Sequence, residues 1–307
     1  MKTQTLNALS SKPDARVEIV EVGPRDGLQN ERKILPTGSK IQLIEALAAT
    51  GLKRIEVGSF VSPKLVPQMA DSAEVFARLH RDPSVTYSAL VPNRRGFEAA
   101  VESRVQEIAV FASASETFSE KNIRCSIADS LVRYRDIAHE ASRHGIRVRG
   151  YVSCVLGCVY EGLVPPARVA SVSESLFEMG CFEVSLGDTI GAGTPETTHE
   201  LLDTLLGAIP STQLAVHLHD TGGRALENIQ VALELGIRVI DSSIAGLGGC
   251  PFAPGSPGNV ATEEVVRFLH ARGFETGVNE RELIALARCV ADMLGKRAVA
   301  PANNCGE

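Results

Sequence analysis

The chain has 307 residues, 44% hydrophobic and 22% charged, with no Trp and a formal net charge of −6. This is the balance of an ordinary soluble globular protein with a sizeable core, and it lacks the basic blocks that nucleic-acid and membrane-surface binders carry. A small-molecule substrate is the expected partner, with no nucleic acid and no membrane.

Cys125, Cys154, Cys158, Cys181, Cys250, Cys289 and Cys305 form no spaced framework, and Cys154 and Cys158 are too far apart for a Cys-x-x-Cys pair. An odd cysteine count in a chain this long fits a reducing compartment. The leader Met1 to Arg16 has no apolar signal-peptide core, and no stretch reaches the roughly 18 apolar residues of a membrane helix. The expected location is the cytoplasm.

Val17-Glu18-Ile19-Val20-Glu21-Val22 alternates as a strand does, and Gly23-Pro24 ends it. A loop from Arg25 to Pro36 follows. Ile41, Leu43, Ile44, Leu47 and Ala48 then recur at helical spacing, with Thr37 or Ser39 as cap and Gly51 as stop. The alternation repeats along the chain. Strands are predicted over 54–57, 85–90, 106–111, 146–155, 182–186, 214–219 and 238–241, and helices over 71–80, 95–103, 126–144, 166–179, 196–208, 224–235 and 261–271. Repeated βα units imply parallel strands joined by right-handed crossovers, and eight of them predict an α/β fold closed into a (β/α)8 TIM barrel over about 17–272. An open doubly wound sheet is the alternative. A helix over 279–293 and a loose tail to Glu307 make a short C-terminal helical extension over about 273–307, so that 1–307 forms one domain.

A barrel gathers its chemistry at the C-terminal ends of its strands. Arg25 and Asp26 follow the first strand, Glu56 ends the second, Asp188 follows the sixth, and His217 and His219 close the seventh. In an extended strand His217 and His219 share a face, with backbones roughly 6 to 7 Å apart, near enough to clasp one ion. Asp26, His217 and His219 could thus hold a divalent metal with positions open for substrate, and Asn259 could add a carbonyl oxygen. Oxygen-rich coordination favours Mg²⁺ or Mn²⁺, while two imidazoles keep zinc open.

Arg25 beside the metal could stabilise an oxyanion such as an enolate, or be a surface or ion-paired arginine. Glu56 is either a buried partner of Arg25 or catalytic. Asp188 caps the next helix or orients a ligand. The long loop Ser242 to Val260 has glycines at 246, 248 and 249, and could act as a lid that carries the Cys250 thiol over the metal to pass a proton. Pro251 stands where a dinucleotide fingerprint needs its third glycine, so no nucleotide cofactor is expected.

The segments VEIVEVGPRDGLQNE from Val17, SFVSPK from Ser59, RGYVSC from Arg149, SLGDTIG from Ser185 and AGLGGCP from Ala245 closely resemble the 3-hydroxy-3-methylglutaryl-CoA lyase family. The similarity runs from about Val17 to Asn279. It implies metal-dependent retro-Claisen cleavage of 3-hydroxy-3-methylglutaryl-CoA to acetyl-CoA and acetoacetate, by a homo-oligomer, dimer or higher, in leucine degradation and ketone-body synthesis. It places Asp26, His217, His219 and Asn259 on Mg²⁺ or Mn²⁺, Arg25 on the enolate and Cys250 in its protonation. Glu56 would assist, and Asp26, His217 or bound water would take the hydroxyl proton.

Lys64, Arg94, Lys121 and Asn122 are candidates for the CoA phosphates, with Asp188 a further substrate-binding candidate. Departures from the family lie at Gly222 to Arg224, at Leu65 and Val159, and in the prolines of Phe252 to Pro257. They leave room for a bulkier 3-hydroxy-3-alkylglutaryl-CoA. A Claisen-type synthase or aldolase, and a silent acyl-CoA-binding barrel, are the rival readings.

Overall fold

Short runs rich in β-branched residues form eight parallel strands in the computed structural model, which describes residues 15–248 and 258–295. In order around a closed barrel they are β1 (Glu18–Glu21), β2 (Arg54–Ser59), β3 (Thr86–Leu90), β4 (Glu107–Ser113), β5 (Arg147–Ser153), β6 (Glu183–Asp188), β7 (Leu214–Leu218) and β8 (Val239–Ser242). β8 closes on β1 with Val20 opposite Asp241, so the expected barrel is formed and the open sheet is excluded.

The helices are α1 (Thr37–Ala49), α2 (Ser72–Arg78), α3 (Arg94–Glu102), α4 (Glu116–Ile123), α5 (Ile127–Arg143), α6 (Pro166–Glu178), α7 (Pro195–Leu206), α8 (Ala225–Glu234), α9 (Thr262–Ala271) and α10 (Glu280–Leu294). Leu43, Ile44 and Leu47 of α1, Leu201 and Leu205 of α7, and Ile229 of α8 are all buried in the apolar core. The expected C-terminal helix is α10, which packs on α9, α1 and the turn Ile244–Gly246. No helix among the described residues is long and apolar enough to cross a membrane.

Two elements differ from expectation. Helix α4 has no apolar period, burying only Phe118 and Ser119, and is started instead by Ser115, whose hydroxyl accepts from the Phe118 N–H at 3.2 Å. The predicted loop at Arg25 begins inside a π-helical turn, Gly23–Gly27, in which the N–H groups of Arg25, Asp26 and Gly27 all bond to Val22 O.

Inside the barrel the side chains are charged rather than apolar. Arg54 donates to both oxygens of Glu183 at 3.0 Å, and Glu183 Oε1 also accepts from Arg149 Nε at 2.6 Å. The two Nη atoms of Arg149 then grip Asp241 at 2.8 and 3.0 Å, and Ser185 Oγ adds a bond of 2.8 Å. Arg149 is 2% exposed and Asp241 1%, so each is the other's chief compensation. This ladder climbs to the mouth, where His217 Nδ1 lies 3.4 Å from Asp241 Oδ2.

Replacing Arg149 by Met strands the buried Asp241 carboxylate, while Glu183 keeps Arg54. The expected loss is about 3 to 5 kcal/mol in urea-unfolding free energy. A loss below about 1 kcal/mol would contradict the ladder's structural role.

Candidate active site

The site is built on the turn that follows β1. A Cβ on Gly27 would lie 2.6 Å from Ser243 Oγ and 2.7 Å from Leu247 Cβ, so only glycine lets this turn press against the segment after β8. Arg25 and Asp26, inside the turn, line the cavity at the mouth of the barrel.

Arg25 donates from Nε to Glu56 Oε2 at 2.6 Å and from Nη1 to Asp26 Oδ1 at 2.5 Å, with its guanidinium carbon 5.6 Å from the centre of the Tyr151 ring. Its Nη2 makes no hydrogen bond among the described residues. Burial opposes the charge, but Glu56 and Asp26 outweigh it and raise the Arg25 pKa. Glu56 is thus Arg25's buried partner, 1% exposed, and it does not line the cavity. Burial pushes its carboxyl up against the pull of Arg25. Tyr151 Oη, 3.4 Å from Glu56 Oε2, donates to the same carboxylate.

Asp26, His217 and His219 each offer a ligand atom within 4.8 Å of the others'. Burial would raise the Asp26 carboxyl, but Arg25 and the two imidazoles hold it down at about 2. Burial, with His217 beside it, lowers His219 to about 4, which leaves a neutral ring with a lone pair to give. Its Nδ1 is buried and has no hydrogen-bond partner among the described residues. His217 faces Asp26 Oδ2 with Nε2 at 3.9 Å and Asp241 Oδ2 with Nδ1 at 3.4 Å, and its Nδ1 likewise has no hydrogen-bond partner among the described residues; a carboxylate on that side is placed to orient the imidazole for metal binding. One carboxylate, two imidazoles and an orphaned ring nitrogen fit a divalent cation.

A β-bridge sets Asn259 beside His219. Its Nδ2 donates to Asp26 Oδ2 at 2.7 Å and to Leu247 O at 3.1 Å, so both bonds use the amide nitrogen and neither uses the carbonyl oxygen.

The cavity holds about 630 Å³, and Leu90, Phe111, Phe118 and Tyr151 give it apolar surface. Lys121, Asn122, Arg124 and Arg133 line it as well. Lys64 is exposed and does not line it, nor does Arg94, which pairs with Glu98 on the surface of α3. Asp188 is buried behind the cavity's lining, its two oxygens accepting from Ala192 N at 3.1 Å and Gly193 N at 2.8 Å. It therefore shapes the connection to α7, while Thr194 caps that helix.

Cys250, the segment Phe252 to Pro257 and Cys305 lie outside the described residues. The sequence reading missed Tyr151, Arg124, Arg133 and Asp241. For Tyr151 and Asp241 a signal existed: a charged or hydroxylated side chain in alternation along a barrel strand points inward with nowhere apolar to go.

A family model described as HMGL-like matches residues 16–290. The chain is 55% identical over 281 residues to the 3-hydroxy-3-isohexenylglutaryl-CoA/hydroxymethylglutaryl-CoA lyase of Pseudomonas aeruginosa, covering 92% of this chain and 94% of that protein. It superposes on the crystal structure of hydroxymethylglutaryl-CoA lyase from Pseudomonas aeruginosa with a TM-score of 0.92 at 54% identity, covering 94% and 96% of the two chains. An HMG-CoA lyase from Acinetobacter baumannii, solved in complex with coenzyme A and 3-methylmalate, matches with a TM-score of 0.91 at 35% identity over 97% of each chain. With its barrel, its paired imidazoles and the Arg25–Asp26 turn, the chain belongs to the HMGL-like family of hydroxymethylglutaryl-CoA lyases.

Proposed function

We propose that this protein cleaves 3-hydroxy-3-methylglutaryl-CoA to acetyl-CoA and acetoacetate with the help of Mg²⁺ or Mn²⁺. The observation that carries this reading is the convergence of Asp26, His217 and His219 within 4.8 Å, beside Arg25, in one cavity. These three residues, with Asn259 as a fourth, would hold the ion, which supplies Lewis acidity toward the substrate's hydroxyl and carboxylate oxygens.

Breaking the carbon–carbon bond leaves the electron pair on the acetyl-CoA fragment as an enolate, with its charge on the thioester oxygen. Arg25 is arranged to receive it. Glu56 and Asp26 hold Nε and Nη1, so the guanidinium is fixed in advance while Nη2 is left for the oxyanion. The hydroxyl proton leaves to Asp26, His217 or water, and Cys250 takes part in returning a proton to the enolate carbon.

For the CoA portion the cavity supports a revised set of contacts. Lys121, Arg124 and Arg133 line it without an ion-pair partner among the described residues, and Asn122 lies among them. Unpaired guanidinium and ammonium groups are suited to phosphate oxygens. Arg124 and Arg133 take the place that Lys64 and Arg94 were expected to fill. The methyl-substituted substrate is the one that the named relatives share, which favours it over the bulkier 3-hydroxy-3-isohexenylglutaryl-CoA that the Pseudomonas aeruginosa relative's name also carries, and a bond-forming synthase or aldolase is not favoured. A cytoplasmic homo-oligomer acting in leucine degradation and ketone-body synthesis completes the reading.

The purified protein with Mg²⁺ should release acetoacetate from 3-hydroxy-3-methylglutaryl-CoA, and a chelated sample should not. No release with either Mg²⁺ or Mn²⁺ would overturn the assignment. Arg25→Met should lower kcat by about 10³ with KM within a few-fold, because an oxyanion stabiliser acts on the transition state. A near-normal kcat would remove Arg25 from the chemistry. Changing Arg124 and Arg133 together to Ala should raise KM about tenfold or more and leave kcat within about twofold, the pattern of lost uniform binding. An unchanged KM would show that the phosphates bind elsewhere.

A further inference from the structure

Glu21 ends β1 and is 0% exposed. Its carboxylate accepts three hydrogen bonds from three separate stretches of chain. Oε1 accepts from Gly23 N at 2.7 Å and from Ile244 N at 2.8 Å, and Oε2 accepts from the Thr262 hydroxyl at 2.6 Å. Gly23 opens the turn that carries Arg25 and Asp26. Ile244 and Thr262 bracket the stretch that carries Asn259. One side chain therefore ties the start of the Asp26 turn to both ends of the Asn259 segment.

The fit is close, since a Cβ on Gly23 would sit 2.5 Å from Glu21 Oε1 and 2.8 Å from Ile244 Cγ2. Asp26 and Asn259 meet through a single bond of 2.7 Å, and such a bond weakens steeply when its partners shift by a few tenths of an ångström. Burial pushes the Glu21 carboxyl up to about 7, with the Thr262 hydroxyl and the two N–H groups pulling it down and Glu263 adding a smaller push upward. An apolar residue would avoid that cost. We infer that Glu21 is a positioning residue, which sets Asp26 and Arg25 in register with Asn259 across the barrel mouth.

This rests on reading Asp26 and Asn259 as one metal site, and Mn²⁺ binding to metal-stripped protein, followed by electron paramagnetic resonance, separates the two ideas. Failure of the unaltered protein to bind Mn²⁺ sinks that reading. A difference confined to the variants tests this one. Glu21→Ala should weaken Mn²⁺ binding by about 10- to 100-fold and lower kcat by a similar factor, with KM within about threefold. Glu21→Gln should restore Mn²⁺ affinity to within about threefold, because its carbonyl can accept from both N–H groups and its amide can donate to a reoriented Thr262 hydroxyl.

Thr262→Val removes one bond only, and should weaken Mn²⁺ binding by about three- to tenfold. It decides the matter if Glu21→Ala does not fold. A role in stability alone would lower the melting temperature and leave the Mn²⁺ affinity of the folded protein unchanged. That result in either folded variant, or a Gln variant as impaired as Ala, overturns the inference.

Discussion

Two carboxylates share one buried guanidinium at the mouth of this barrel, and the site depends on that sharing. Asp26 and Glu56 come from different strands' ends and would repel each other in a low-dielectric setting. Arg25 between them keeps Asp26 ionised and holds Glu56 by a bond of 2.6 Å. Because two negative groups face one positive group, the cluster still has an excess of acceptor oxygen beside two imidazoles. A divalent cation is the natural complement to that excess, while Lys121, Arg124 and Arg133 give the same cavity positive charge for anionic groups.

The barrel supplies what a loop alone could not. β1 and β2 bring Arg25 and Glu56 together, β7 aligns the imidazoles, and the segment after β8 returns Asn259 alongside His219. Beneath them the ladder from Arg54 through Glu183, Arg149 and Asp241 ends at His217 Nδ1. With Asp241 Oδ2 3.4 Å from that nitrogen, Nε2 is the one turned toward Asp26. The charged interior thus does double service, closing the barrel's polar core and fixing one imidazole's orientation.

Much of this was legible in the sequence. Eight alternating strand and helix signals gave the barrel, since the strand runs are short, carry β-branched residues and mostly end near Gly or Pro. The rule that chemistry gathers at strand C-termini then picked out Asp26, His217 and His219, which the fold does bring together. What stayed hidden has physical reasons. Helix α4 is held by a Ser115 cap and not by an apolar stripe, so periodicity cannot find it. Lys64 and Arg133 look alike as isolated cations, and only the folded chain shows that one faces solvent while the other lines the cavity. Asp188 sits at a strand end where it could orient a ligand, yet two backbone N–H groups occupy its oxygens.

The family's lyase chemistry and this site's geometry agree on where charge develops and what answers it. The claim beneath both is that Asp26, His217 and His219 are one ligand set for one ion. Titration calorimetry of the metal-stripped protein with Mn²⁺ tests it most directly. The account predicts one ion bound per chain, with Asp26→Asn and His219→Ala each weakening it by about 100-fold or more while the fold persists. Binding that survives both changes at full strength, or no binding at all, would contradict it.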